Sequence, residues 1–285
     1  MVFLGEEHQM TVQDYLEENQ GKWSTETVDR YRRVLVDFDN EVDAGKLTAS
    51  KLRAWLDSHP WGSSHRHVAL TAVKGYLRWE FGAKHAALSY NEKRKNPPPQ
   101  RALKVGQIKD LISSFDTTTI KGIRDLAICT LMLDTGLRVS EVCRAELRYL
   151  DLEEKQLRVV IKGGKWGLAV FSDATRRYLE SWLSIRPMGM ETIFVSVGGS
   201  THGKRLTRPG LQRVVKHWGE KAGIGLLSPH DLRRTFAVTA TRLGAPSRLV
   251  QLAGRWSSID MVELYTSSLE AVDFEKYFPV EGLGY

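Results

Sequence analysis

Cysteine is nearly absent from this chain: there are two in 285 residues, at positions 129 and 143. Both sit in apolar stretches, which excludes a disulfide-stapled fold and fits buried, reduced thiols. Proline is scarce as well, and three of the nine are consecutive, Pro97-Pro98-Pro99. No apolar run reaches the ~18 residues a membrane-spanning helix needs. The amino terminus carries no signal-peptide pattern, so a cytoplasmic protein without membrane association is expected. Internal repeats and low-complexity segments are also missing. His65 and His67 diverge on a helix and have no acidic or cysteine partner nearby, so no metal is expected.

What is present is an ordinary globular composition, 42% hydrophobic and 26% charged, with a net charge of +7. That charge is unevenly placed. Residues 1–95 balance 14 lysines and arginines against 14 acidic residues, so the whole excess lies beyond them. Residues 201–248 hold 10 basic and 2 acidic side chains, whereas 257–285 hold 1 and 6. A basic block followed by an acidic tail suits a polyanion surface and then a segment that docks on protein.

The triple proline reads as a semi-rigid linker, because it removes donors and holds the chain extended. It divides the chain into residues 1–95, a linker at 96–103, and residues 104–285. The first part predicts helices. Thr11 caps one with Asp14 at its third position, Ser24 or Thr25 opens a second, Thr48 a third, and Ser63 or Ser64 a fourth. On the last of these, Arg66, Lys74 and Arg78 stand off the apolar stripe of Leu70, Val73 and Leu77, as DNA-phosphate contacts or as an ordinary solvated face. The second part predicts helices over 108–115, 123–133, 174–185, 208–222, 231–243, 247–253 and 260–269. Two short strands, 157–161 and 168–171, flank the turn from Lys162 to Gly167. A mainly α fold with a small antiparallel sheet follows.

Three motifs carry chemistry. Thr135-Gly136-Leu137-Arg138-Val139-Ser140-Glu141 places an arginine in a turn entering a helix. Ile161-Lys162-Gly163-Gly164-Lys165 is a glycine–lysine turn. His230-Asp231-Leu232-Arg233 puts histidine and arginine on one helical face, with Trp256 and Tyr265 downstream. Taken singly, each has a bland reading: an arginine paired to Glu141, a solvated turn lysine, a core tryptophan. Together they supply what metal-free cleavage of a phosphodiester needs. Two guanidinium forks, Arg138 and Arg233, suit the phosphate oxygens. His230 can donate to or accept a proton from the reacting groups. Lys162, or its neighbour Lys165, can protonate a leaving oxygen. The Trp256 indole can only donate, and Tyr265 is a candidate nucleophile. Glu141 orients a neighbour or braces the Arg138 turn.

The order arginine, lysine, H-x-x-R, tryptophan, tyrosine resembles the tyrosine recombinases, or integrases, over residues 10–270. The resemblance implies a helical core-binding domain and a catalytic domain that clamp double-stranded DNA, with Arg138, Lys162, His230, Arg233, Trp256 and Tyr265 as the active site. Glu141 would be the accessory acid, and Arg66, Lys74, Arg78, Lys165 and Arg234 the DNA contacts. It further implies cleavage through a 3′-phosphotyrosine, strand exchange at paired half-sites through a Holliday junction, and a tetramer joined by C-terminal tails. No cofactor is implied. Most bacterial and archaeal Xer-like members carry histidine where Trp256 stands, so in that respect the chain is similar to Cre recombinase. The hairpin reads I-K-G-G-K, and Leu252-Ala253-Gly254-Arg255 replaces the usual L-L-G. No arm-binding domain fits before residue 10. The alternatives are a type IB topoisomerase-like enzyme that relaxes DNA and a non-catalytic DNA-binding relative.

Overall fold

The computed structural model describes residues 11–92, 101–161 and 163–266. Lys162, residues 93–100 around the triple proline, the tail from residue 267, and the side chain of Tyr265 lie outside the described residues. The chain packs as two compact units, Met1–Pro97 and Pro98–Tyr285.

The first unit holds helices α1 (Val12–Glu18), α2 (Thr25–Glu41), α3 (Ala49–Ser58) and α4 (Ser63–Phe81). Local chemistry sets their starts. Thr11 and Asp14 form a capping box, and the Ser24 and Thr48 hydroxyls accept from the amides of Thr27 and Lys51. Helix α4 differs from expectation. Its cap is Gly62, in extended backbone, and Ser63 is already helical. Leu16, Leu35, Phe38, Leu52, Leu56, Val73 and Leu77 make the core, each fully buried. Burial of such side chains contributes ~1.5–3 kcal/mol apiece before entropy is counted.

The second unit runs α5 (Val105–Ser114), α6 (Ile120–Thr135), α7 (Val139–Arg144), β1 (Leu150–Asp151), β2 (Gln156–Val160), β3 (Trp166–Val170) and α8 (Asp173–Ile185). It continues with α9 (Arg208–Lys221), α10 (Pro229–Arg242), α11 (Ser247–Gly254) and α12 (Asp260–Thr266). The sheet is antiparallel in the order β1-β2-β3, with Val160 opposite Trp166 beside the turn. Alternation fixes its faces: Leu157, Val159 and Ala169 point into the core while Arg158, Val160, Leu168 and Val170 point out. The two-residue β1 is too short to show a period and was not anticipated.

Helix α6 is buried on nearly every side and packs on α8 and α10, as expected of a helix apolar all round. Its last-turn Asp134 accepts from the Ser172 amide and hydroxyl and from the Thr175 hydroxyl, tying down the start of α8. Both cysteines are free and buried, and burial pushes their thiols well up, that of Cys143 to about 11. After α8 the chain crosses the surface, where Met188 is 89% exposed. Among the described residues no helix is long and apolar enough to cross a membrane.

Candidate active site

The site starts where α6 stops. Gly136 ends that helix in the left-handed region (φ 59°), and its amide donates to the Met132 carbonyl. The ring of Phe236 on α10 lies where a side chain would go, because a Cβ on Gly136 would fall 2.5 Å from it. Glycine is needed there both for conformation and for space. Two residues on, Arg138 caps α7. The buried Glu141 carboxylate accepts from the Arg138 amide at 2.9 Å and from its Nη1 at 2.8 Å. Glu141 therefore braces the turn, and the Arg138 side chain stays 32% exposed.

Helix α10 supplies the next groups. Ser228 and Asp231 form its capping box, with Pro229 in the first turn, which places His230 and Arg233 one helical turn apart. Arg233 is only 2% exposed. Its Nη1 donates to the Gly136 carbonyl and its Nη2 to the Gly254 carbonyl at 2.7 Å. The guanidinium also lies over the Trp256 indole, 4.4 Å from the ring centroid. One buried cation thus joins the end of α6, the end of α11 and the tryptophan after it. Trp256 is 5% exposed and packs with Phe236, Ala237, Val250 and Val262. Helix α12, which packs on α10 and α11, carries Tyr265 in its backbone.

His230 keeps an exposed face. Partial desolvation and the charges of Arg234, Arg233 and Arg138 hold its pKa below the ordinary 6.5, against the opposing pull of Asp231. The imidazole is neutral at pH 7. Because the folded value lies below the unfolded one, the unfolded chain takes up the proton first. His230 thus supports stability above pH ~6.5, and that support is lost as pH falls through the lowered value. Melting temperatures between pH 7.5 and 5 should therefore fall less steeply for His230→Gln than for the unaltered chain. Parallel curves would show that His230 does not titrate in this window.

The structure thus brings Arg138, Glu141, His230, Arg233 and Trp256 together, beside the helix that bears Tyr265. Lys165 is exposed in the hairpin turn, and Arg234 pairs with Asp231 at 3.2 Å. The three basic residues of α4 belong to the other unit, and only Arg78 stands exposed. Arg66 is committed to Asp57, Glu92 and the Leu56 carbonyl. Lys74 is 8% exposed with its ammonium on Asn91 Oδ1. These two side chains are bonded to partners within their own unit.

Residues 101–271 match the phage integrase family. The chain is a tyrosine recombinase of that family. The recombinase is 29% identical over 257 residues to tyrosine recombinase XerC of Corynebacterium glutamicum, covering 85% of this chain and 82% of that one. It is 32% identical over 218 residues to XerD of Staphylococcus aureus strain Mu50, covering 72% of each. Its fold matches XerH site-specific recombinase bound to palindromic difH substrate, with a TM-score of 0.73 at 16% identity, covering 94% of this chain and 83% of that one. It also matches the Tn1549 transposon integrase in complex with transposon right end DNA, with a TM-score of 0.74 at 14% identity, covering 97% and 100%. The recombinase is a site-specific enzyme of DNA strand breakage and rejoining.

One member of the cluster escaped the motif reading. Arg255 entered the sequence analysis only as a departure from the usual L-L-G, and its side chain is buried among the catalytic candidates.

Proposed function

We propose that the recombinase cleaves double-stranded DNA by attack of the Tyr265 phenolic oxygen on a phosphorus atom. The new Tyr–O–P bond forms as the P–O5′ bond breaks, leaving a 3′-phosphotyrosine. Arg138 and Arg233 neutralise the charge that grows on the non-bridging oxygens. His230, kept neutral by partial desolvation and its arginine neighbours, accepts a hydrogen bond or the phenolic proton. Trp256 donates its indole N–H to the phosphate. A hairpin lysine, Lys162 with Lys165 as the alternative, protonates the departing 5′-oxygen. Attack by that 5′-hydroxyl on the phosphotyrosine reverses the step, so bond energy is conserved and no cofactor is required.

The observation that supports this most directly is the convergence of Arg138, His230, Arg233 and Trp256 from segments far apart in the chain, with the Arg233 guanidinium buried against the Trp256 indole and the Arg138 side chain 32% exposed. The DNA-bound state of the XerH and Tn1549 structures supports duplex DNA as substrate. In this reading the N-terminal helical unit, residues 1–95, is the core-binding domain, and 104–285 catalyse. Arg78, Lys165 and Arg234 contact the backbone, paired half-sites are the target, and the work is done in the cytoplasm.

A substrate with sulfur at the 5′-bridging position leaves without a proton and separates the lysine's role from the rest. Lys162→Ala should be slow on ordinary DNA and largely rescued on the sulfur substrate. Rescue of Lys165→Ala alone would exchange the two roles, and rescue of neither would remove lysine as the acid.

Self-association is part of the proposal. Leu269, Val272, Phe274, Tyr277 and Phe278 lie in the tail among Glu270, Asp273 and Glu275. Such a segment suits a protein surface better than DNA, and docking on a neighbouring protomer would build the tetramer. Ending the chain after Ser268 should then spare binding to one half-site and weaken cooperative filling of two. Unchanged cooperativity in a gel-shift titration would place the tail on its own protomer.

A further inference from the structure

Arg255 follows the last residue of α11 with φ 57° and ψ 42°, a left-handed conformation. Only one other described non-glycine residue, Lys155, has a positive φ. An L-residue held there costs about 1–2 kcal/mol, and its amide offsets part of that by donating to the Gln251 and Leu252 carbonyls that end the helix. The Arg255 side chain is 4% exposed. It threads past Gly167, where a Cβ would lie 2.7 Å from Arg255 Cδ. Its Nη2 donates to the Thr135 carbonyl at 2.8 Å, and its Nη1 to the carbonyls of Ala253 at 2.6 Å and Leu168 at 3.2 Å. Its Nε lies 3.9 Å from Glu141 Oε2, the oxygen that accepts the Arg138 amide.

One guanidinium therefore bonds the end of α6, strand β3 of the lysine hairpin and the end of α11, and lies within ion-pair distance of the carboxylate that braces Arg138. Burial pushes its pKa down to about 10, with Glu141 opposing, so it remains a cation at neutral pH. This changes what Glu141 does. With Arg138 as its sole cation, the buried carboxylate would draw that fork inward. With Arg255 beside it, the carboxylate is already balanced. Among the described residues, the Arg138 guanidinium then bonds it through Nη1 alone, beside the bond from the Arg138 amide, and the side chain stays 32% exposed.

We propose that Arg255 is a positioning residue of the recombinase, which shares the Glu141 carboxylate with Arg138 and ties the hairpin strand to the arginine turn. In that role it sets how Arg138 meets the scissile phosphate. The inference rests on the proposed role of Arg138.

The test uses the full chain and single-turnover trapping of the covalent adduct on nicked DNA. Arg255→Ala should slow adduct formation on the order of 10²-fold, the scale of a small misplacement of a catalytic group, while single half-site binding holds. Arg255→Lys restores a cation on a flexible stem and should recover a large part of the rate. The decisive readout is coupling. In an Arg138→Lys background, where the fork is already lost, Arg255→Ala should cost less than about threefold. An equal penalty in both backgrounds, or cleavage lost only in parallel with binding and melting temperature, would show a structural residue and overturn the proposal. If Arg255→Ala does not fold, Arg255→Gln replaces it, and equal rates for Arg255→Gln and Arg255→Lys overturn the proposal too. Absence of any adduct from the unaltered chain would instead overturn the phosphotyrosine reading itself.

Discussion

Tyr265→Phe should bind DNA like the unaltered recombinase and form no covalent adduct. The change removes one oxygen and leaves the ring, so α12 keeps its length and its packing on α10 and α11. Without the phenolic oxygen no Tyr–O–P bond can form, and the other catalytic groups have nothing to activate. Losses of this kind run on the order of 10⁴–10⁶-fold in other nucleophile-dependent enzymes. Denaturing gels of protein trapped on nicked DNA read the outcome directly. A persistent adduct in Tyr265→Phe would assign the nucleophile to another residue.

Arg233→Ala should lose both activity and stability, which sets it apart from Tyr265→Phe. The guanidinium serves the carbonyls of Gly136 and Gly254 inside the protein and lies over the indole of Trp256. Truncation leaves two buried carbonyls without that donor and opens space beside the ring, at a cost of about 2–4 kcal/mol. Under the proposed mechanism it also removes a cation from the phosphate, worth on the order of 10²–10³-fold in rate. Arg233→Lys keeps the charge but cannot reach both carbonyls with one ammonium, so it should regain stability only in part. Thermal melting and adduct kinetics measured on the same preparations check both halves. A variant as stable as the unaltered chain would show that the carbonyl bonds contribute nothing net.

Much of this site was legible in the sequence because its chemistry is local. The T-G-L-R-x-S-E box contains a helix stop, a turn, a cap and the cap's own carboxylate, and each has a physical signature within a few residues. The same holds for the capping box that opens α10 and sets His230 and Arg233 on one face. Long-range facts were not legible. Helical period put Arg66 and Lys74 off the apolar stripe of α4, yet both are consumed by partners from other segments, Glu92 and Asn91 among them. Arg255 looked like a lapse in a motif, because nothing nearby in sequence announces Thr135, Leu168 or Glu141 as its partners. Strand β1 was invisible for a simpler reason, since two residues cannot display an alternation.

The exposed crossing at Met188 divides the catalytic unit in a way that matters for engineering. Everything before it carries Arg138, Glu141 and the hairpin; everything after it carries His230, Arg233, Trp256 and Tyr265. Opening the backbone there would yield two fragments, each with one arginine of the proposed phosphate clamp, and only the second with the proposed nucleophile. Neither could cut DNA alone, yet the bonds from Arg233 to Gly136 and from Arg255 to Thr135 and Leu168 would be remade on reunion. The same long-range bonds that hide the site from its sequence make it a natural two-key lock, armed only when both pieces are delivered to one place.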